Sequence, residues 1–485
     1  MNLYDMKGNS ENFKGPFFKR LTDNQCGEIY SACLEVLENT GVYFEDDEAF
    51  QLLKEAGCYE IDQHRLSIPS HLIDWAVSKA PRQIILYDQR GNPSINIGGY
   101  NYYFGVGSDG NYILDYRTQE RRKGKLSDIE EGIRLCDSLP NIDFVMSMLI
   151  PKDVPQEIMD RYQMEIMLDK TDKPIVFVNS DLEGMKDCVK MSQLVAGGEE
   201  NLKRKPFIAS YNNLSRPLLQ NVETTQKIIY CAQKGIPCIL KTATSMKGAI
   251  TPVTTPAYLV STYAGQLAGL LISQLTKKGA PFIFEGAGGG TFDMRTTLGA
   301  IAVPDNRGFA PDFSHFMKMP MFGQGGGSDA KIVDGQATAE AAFSILLQAL
   351  GGAGIIHDVG YLESHNTQSF EMLVICNELI SWVKHFMKGI DINRESMALD
   401  VIDEVEPDGN YMEHSHTLKH FREDWYPDLF DRNRYSDWAV KGEKSINQRA
   451  RERVDELLAN HQPEGLPGSL MDQLKEITKA AENNI

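Results

Sequence analysis

The sequence predicts an α/β fold: a (β/α)8 barrel with an N-terminal α+β region and a C-terminal helical extension. Three observations predict it. Short apolar runs bounded by polar or Gly/Pro residues recur from about residue 130. They lie roughly 30 to 40 residues apart with helical stretches between them, the length of a βα unit with its loops. Several runs are entered through proline, which opens a strand but does not sit inside one. Polar residues stand where the runs stop, and a barrel places its chemistry at the C-terminal ends of its strands.

In chain order, residues 20 to 80 read as helical. Thr22 offers a cap, and Ile29, Cys33, Val36 and Leu37 fall on one face. Residues 84 to 120 turn to strands, with Gly91-Asn92-Pro93 as a turn between them, so 1–125 reads as an N-terminal α+β region. The apolar runs of the barrel region, 126–395, are 144–148, 174–178, 206–209, 237–240, 281–284, 319–322 and 354–356. The pattern does not place an eighth strand, and a doubly wound open sheet has the same rhythm. Residues 396–485 form the extension. It is first rich in charged and aromatic residues, then helical and polar, with a break at Gly465-Leu466-Pro467-Gly468.

Composition bounds the function. The chain has 485 residues, 42% of them hydrophobic, enough for a large core. A net charge of −18 argues against nucleic acid, whose binding needs a basic face. The eight cysteines form no CxxC pair and read as buried thiols of a reducing compartment. The N-terminal stretch has no apolar run of the kind a signal peptide carries, and the apolar window 257–275 contains Gln266 and Gln274. The expectation is a cytoplasmic protein with a buried helix there.

The strand-end rule selects Asn179; Tyr211, Asn212 and Asn213; Lys241 and Thr242; Glu285 with Gly288, Gly289 and Gly290; Gln324 to Asp329; and His357 with Asp358. Singly each is as readily a helix cap or loop residue; together they describe the rim of a pocket. The run Gly288-Gly289-Gly290 does not complete a dinucleotide fingerprint. His414, His416 and His420 invite a metal reading, but no further ligand stands at an obvious spacing, which favours a hydrogen-bonded histidine cluster. Tyr102, Phe104, Tyr211, Phe284 and Tyr361 lie at or near strand ends, where aromatic faces can cage an ammonium group. The run Gln324-Gly325-Gly326-Gly327 offers backbone donors to a small anionic group.

Three segments resemble the trimethylamine methyltransferase family. They are Phe104-Gly105-x-Gly107-Ser108 leading to Tyr112-Ile113-Leu114-Asp115 and Thr118-x-Glu120-x-Arg122; Ser328-Asp329-Ala330-Lys331-x-x-Asp334-x-Gln336-Ala337-x-x-Glu340; and Gly351-Gly352-Ala353 leading to Gly360-Tyr361-Leu362-Glu363-Ser364. The ending His416-Thr417-x-x-His420-Phe421-Arg422 through Trp425, Asp431 and Arg432 is similar as well, so the resemblance spans roughly residues 20 to 460. It implies a (β/α)8 barrel that passes a methyl group from an amine to a corrinoid. Family members that use trimethylamine contain pyrrolysine in the barrel; this chain contains none. It therefore resembles the pyrrolysine-free branch, whose members demethylate glycine betaine and related quaternary amines.

That branch implies roles for the strand-end residues. Glu285 and Asp358 would hold the cation with the aromatic faces. His357, Gln324 and the amides of Gly325, Gly326 and Gly327 would bind a betaine carboxylate. In-line transfer needs no general base. His357 is equally read as a core histidine bonded to backbone. Corrinoid domains of this type carry Asp-x-His-x-x-Gly, which is absent here, so the cobalamin is expected on a separate protein docking over the barrel mouth. A homo-oligomer is the ordinary expectation for such an enzyme. A non-catalytic betaine-binding barrel, a methyltransferase for another N-methyl compound and a dehydrogenase using the Gly288 loop are the competing readings.

Overall fold

The computed structural model describes residues 16–242, 246–286, 290–300, 302 and 308–483. Its centre is a parallel sheet of seven strands in the spatial order Tyr102–Phe104, Gly354–His357, Met321–Gln324, Phe282–Glu285, Cys238–Thr242, Ile208–Leu214 and Ile175–Val178. The gap between the two edge strands is bridged by the apolar run at 144–148. Gly105 pairs in parallel with Phe144, and Val145 with Ile175. The Val145 amide donates to Pro174 O at 3.0 Å, and the Val176 amide donates to Val145 O at 2.9 Å. The sheet thus closes into the eight-stranded barrel that the rhythm predicts.

The strand that the pattern left unplaced is Tyr102–Phe104. Sequence reading put it in the N-terminal region because its neighbours pair as hairpins. The structure makes it the first barrel strand, in register with Gly354, Ile355 and Ile356. The barrel therefore begins upstream of residue 126. Helices Leu126–Ser138, Met159–Lys170, Leu182–Val195, Val222–Lys234, Thr255–Thr276, Phe309–Met317, Gly335–Gly351 and Phe370–Met387 follow the eight strands in turn. Thr255–Thr276 is buried along most of its length. Among the described residues no helix is long and apolar enough to cross a membrane.

Two cores follow from the period-two alternation of the strands. One face of each strand packs against the helices. The other fills the barrel with Tyr103, Phe144, Met146, Val176, Ala209, Ile239, Ile283, Phe322 and Ile355. A hairpin of Ile84–Tyr87 and Pro93–Ile97 adds Ile84, Leu86, Ile95 and Ile97 to this inner cluster. It plugs the N-terminal end of the barrel.

At that mouth a small sheet joins distant parts of the chain. Tyr112–Leu114 pairs in parallel with Thr367–Ser369 and antiparallel with Arg121–Lys123. The loop after the first strand and the loop after the last are thereby fixed to each other. The remainder of the N-terminal region begins with helix Asp23–Glu35, capped by Thr22 and Gln25 and burying Cys26, Ile29 and Cys33. In the extension, helices Ile446–Asn460 and Gly468–Glu482 lie on either side of the predicted break. All eight cysteines are free and buried.

Candidate active site

A cavity of about 250 Å³ sits at the open mouth. It is lined by Ser108, Asp109 and Asn111 from the first loop, Tyr211 and Lys241 from the fourth and fifth strands, and Met246 and Gly290. Gln324, His357, Asp358, Ser364, His365 and Asn366 complete the wall. Alternation explains which strand-end residues arrive. Tyr211 shares the inward face with Ala209, Lys241 with Ile239, Gln324 with Phe322 and His357 with Ile355.

The same parity removes three predicted cage residues. Tyr102, Phe104 and Phe284 belong to the outer core against the helices. Tyr102 and Phe104 flank the inward Tyr103, and Phe284 packs edge-on to Phe282, at 5.4 Å, and against Tyr263, at 6.2 Å. Tyr361 stands behind the wall. Its hydroxyl donates to Ser108 O at 3.0 Å and to Met148 O, tying the first loop down. Tyr211 is the remaining predicted aromatic that faces the cavity, so the described residues do not assemble the predicted cage, and polar and charged side chains make up most of the lining.

The glycine run plays a different part from the one expected. The Gly325 amide donates to His357 O at 3.0 Å, and the Gly326 amide donates to Ser344 Oγ at 2.9 Å. Those donors are consumed by the fold. What the glycines supply is room. A β-carbon on Gly327 would lie 2.3 Å from His365 Nε2, and Gly326 holds φ +83° against Val359. The run lets the His365 loop lie flat on the barrel rim. Gly288 and Gly289 lie outside the described residues.

Asp358 is the hub of the wall. Its Oδ2 lies 2.7 Å from Gln324 Nε2, which donates to it, and 3.2 Å from both His357 Nε2 and His365 Nδ1. Burial is the largest influence on this carboxyl and pushes it up. The combined pull of His357, His365, Lys241 and the Gln324 amide outweighs burial and brings it down to about 2. These neighbours favour Asp358 as the carboxylate. The carbonyl end of Gln324, Oε1, is buried with no partner among the described residues, an acceptor beside the anion.

His357 has features of both readings. Its Nδ1 donates to Gly323 O at 2.6 Å, its ring stacks on Phe322 at 4.2 Å, and its Nε2 faces Asp358. Both nitrogens are engaged by the protein while the ring edge lines the cavity.

Lys241 supplies the opposite charge. Its Nζ lies 3.7 Å from Glu285 and 5.7 Å from the Tyr211 ring centroid. Burial is the largest single influence and lowers its pKa, but Tyr211, Glu285 and Asp358 together raise it above its ordinary value, so it stays cationic. Glu285, 1% exposed, sits beneath Lys241 as its counter-ion and is not part of the lining. Asp109 presents open surface to the cavity, yet enough protein surrounds it that burial raises its carboxyl, with Ser108 and Lys241 opposing.

Backbone strain gathers here as well. Asp109, Asp358, Ser364 and His365 line the cavity with φ of +67°, +74°, +54° and +69°, a conformation that costs a non-glycine residue energy and persists only where the surroundings enforce it. Asp109 and His365 were missed in the sequence because they stand on loops, beyond any strand-end pattern. Lys241 stood at a strand end, and inward parity singles it out. Outside the barrel, the His416 and His420 rings lie 4.4 Å apart and His420 bonds Glu423. Among the described residues no group of His, Cys, Asp or Glu is arranged to hold a metal ion.

Comparison with known proteins agrees with this architecture. The structure is similar to the monomethylamine methyltransferase of Methanosarcina barkeri, with a TM-score of 0.51 over 92% of this chain and 88% of that one. At 11% identity that likeness speaks for the fold alone. In sequence the chain is 30% identical to a trimethylamine methyltransferase of Desulfitobacterium hafniense over 467 residues, covering 95% of this chain and 94% of the relative. It is 31% identical to that of Methanosarcina thermophila, covering 94% and 95%. It is 28% identical to a glycine betaine methyltransferase of Desulfitobacterium hafniense, covering 93% and 94%. The family model for trimethylamine methyltransferase matches residues 7–485, and the chain belongs to that methyltransferase family.

Proposed function

We propose that this protein demethylates a zwitterionic quaternary amine, glycine betaine or a close relative, and passes the methyl group to a corrinoid carried by a separate protein. One observation carries the reading: a small cavity lined by both a carboxylate residue, Asp358, and an ammonium residue, Lys241. A betaine presents the complementary pair. Its ammonium would lie toward Asp358, Gln324 Oε1 and Asp109, and its carboxylate toward Lys241.

The chemistry asks little else of the protein. A quaternary N-methyl ammonium leaves as a neutral tertiary amine, so no group need donate a proton to the leaving nitrogen. Trimethylamine lacks that advantage, and this chain lacks the pyrrolysine of the family members that use it. The residues act by stripping water from the cation, fixing its orientation and turning one methyl toward the mouth. A cavity of about 250 Å³ has room for a small amine and none for a corrin macrocycle. The corrinoid, a strong nucleophile toward methyl carbon when reduced, would approach from outside over Ser108, Asn111 and Asn366. Incubating the protein with a reduced corrinoid protein and a panel of quaternary amines tests the reading. Methylation with a betaine supports it, and binding without methyl transfer favours a passive betaine-binding barrel.

A further inference from the structure

The segment from Ser328 to Glu340, one of those that carry the family likeness, contributes nothing to the cavity lining. It lies against a strained part of the cavity wall. Glu363, Ser364 and His365 are three consecutive non-glycine residues with φ of +52°, +54° and +69°. Left-handed backbone is costly for a residue with a β-carbon, and a run of such residues persists only where neighbours enforce it. Yet this turn brings Ser364, His365 and Asn366 into the wall.

Two sets of contacts enforce it. From strand Arg121–Lys123, Arg121 donates to both oxygens of Glu363, at 2.7 and 2.8 Å. The turn is also laid against residues 328–330. The Glu363 amide donates to Ala330 O at 2.7 Å, the Ser364 amide to Ser328 O at 3.0 Å, and Ser364 Oγ to Asp329 Oδ1 at 2.8 Å. A carboxylate on helix Gly335–Gly351 fixes 328–330 in its turn. Glu340 Oε2 accepts from Ser328 Oγ at 2.5 Å and from the Asp329 amide at 2.8 Å, while its Oε1 accepts from Gln336 at 2.9 Å. Ser344 stands four residues on, on the same helix face, and is the acceptor already noted for the Gly326 amide. The helix thus holds 326–329, and that segment holds the turn.

We propose that Glu340 is a positioning residue for methyl transfer: it holds the left-handed turn 363–365 so that His365 and Asn366 stand where the substrate is received. The inference rests on the cavity being the substrate site. Glu340 does not line the cavity and acts through Asp329 and Ser364. His365 is the group it delivers. Its Nδ1 lies 2.9 Å from Gln324 Nε2 and 3.2 Å from Asp358 Oδ2, so a displaced turn is felt at two side chains that would face the ammonium. An alanine at 340 would leave the Ser328 hydroxyl and the Asp329 amide without their acceptor, and Ser328 is 1% exposed, with little water to replace it.

The test follows the His365 imidazole by NMR of the full chain carrying isotope-labelled histidine, its resonance assigned with His365→Gln. Alongside it, kcat/KM is measured for methyl transfer from glycine betaine to a reduced corrinoid protein. Glu340→Ala should move the His365 resonance and lower kcat/KM about 100-fold, the effect of a misplacement of about 1 Å. Glu340→Gln keeps an acceptor of the same reach and should restore both. Asp334→Ala removes the cap of the same helix, its bond from the Ala337 amide, without touching the turn, and should leave both near the parent values. An unmoved His365 resonance in Glu340→Ala, or an equal shift and loss in Asp334→Ala, overturns the proposal. Should Glu340→Ala fail to fold, Glu340→Asp, which keeps the charge and shortens its reach, takes its place with the same two outcomes. The resonance needs no turnover. A protein that accepts a methyl group from no betaine would fail the functional reading, and the His365 resonance would still decide this one.

Discussion

Lys241 and Asp358 carry the specificity of this account at the scale of single residues. Replacing Lys241 with Gln removes the cation proposed to meet the substrate carboxylate. The KM for glycine betaine should rise about 10- to 100-fold, the worth of one charge-assisted contact, while binding of tetramethylammonium, which has no carboxylate, should hold or improve. Equal losses for both ligands would show that Lys241 merely supports the wall through Glu285. Asp358 gives a pH signature. Its folded pKa, about 2, lies below the ordinary carboxylate value near 3.9, so its contribution to stability is complete above about pH 4 and is lost as pH falls toward 2. The stability gap between the parent protein and Asp358→Asn, measured by denaturant titration, should be constant near neutrality and narrow below about pH 4. The same residues mark the limit of sequence reading. Gln324, His357 and Asp358 were legible as polar residues at strand ends. Asp109 and His365 reach the cavity through left-handed turns with no periodic signal.

At the scale of elements, the first barrel strand and its loop matter most. Counting outward from apolar runs missed Tyr102–Phe104, because a strand of three residues flanked by hairpins looks like one more hairpin. Its parity was legible nonetheless: Tyr102 and Phe104 share one face, so both could not line the cavity while Tyr103 filled the barrel. The loop that follows threads between Asp358 and Tyr361. A β-carbon on Gly107 would lie 2.0 Å from Asp358 Oδ1 and 2.9 Å from the Tyr361 ring. Gly107→Ala should therefore displace Asp358, cost about 1–3 kcal/mol of stability by overpacking, and lower methyl-transfer activity more than the stability loss accounts for. Thermal melts paired with activity assays check it; a variant as active and stable as the parent would mean that the loop has slack the geometry does not show.

The molecule as a whole divides its surfaces by task. The hairpin seals one end of the barrel and the cavity opens at the other. Fold class was legible because seven apolar runs repeat a length and a polarity pattern. The closure of the ring was not, since it rests on two isolated bridges at Phe144 and Val145. The arrangement opens the substrate cavity at the mouth, which suits a large methyl acceptor held on another protein. The most direct test of that central claim is methyl transfer to a reduced corrinoid protein, followed by its absorbance, with glycine betaine, proline betaine, carnitine, choline and trimethylamine as donors. The account predicts rapid methylation from a betaine, little from choline and none from trimethylamine. Transfer from trimethylamine, or from no quaternary amine at all, would contradict it.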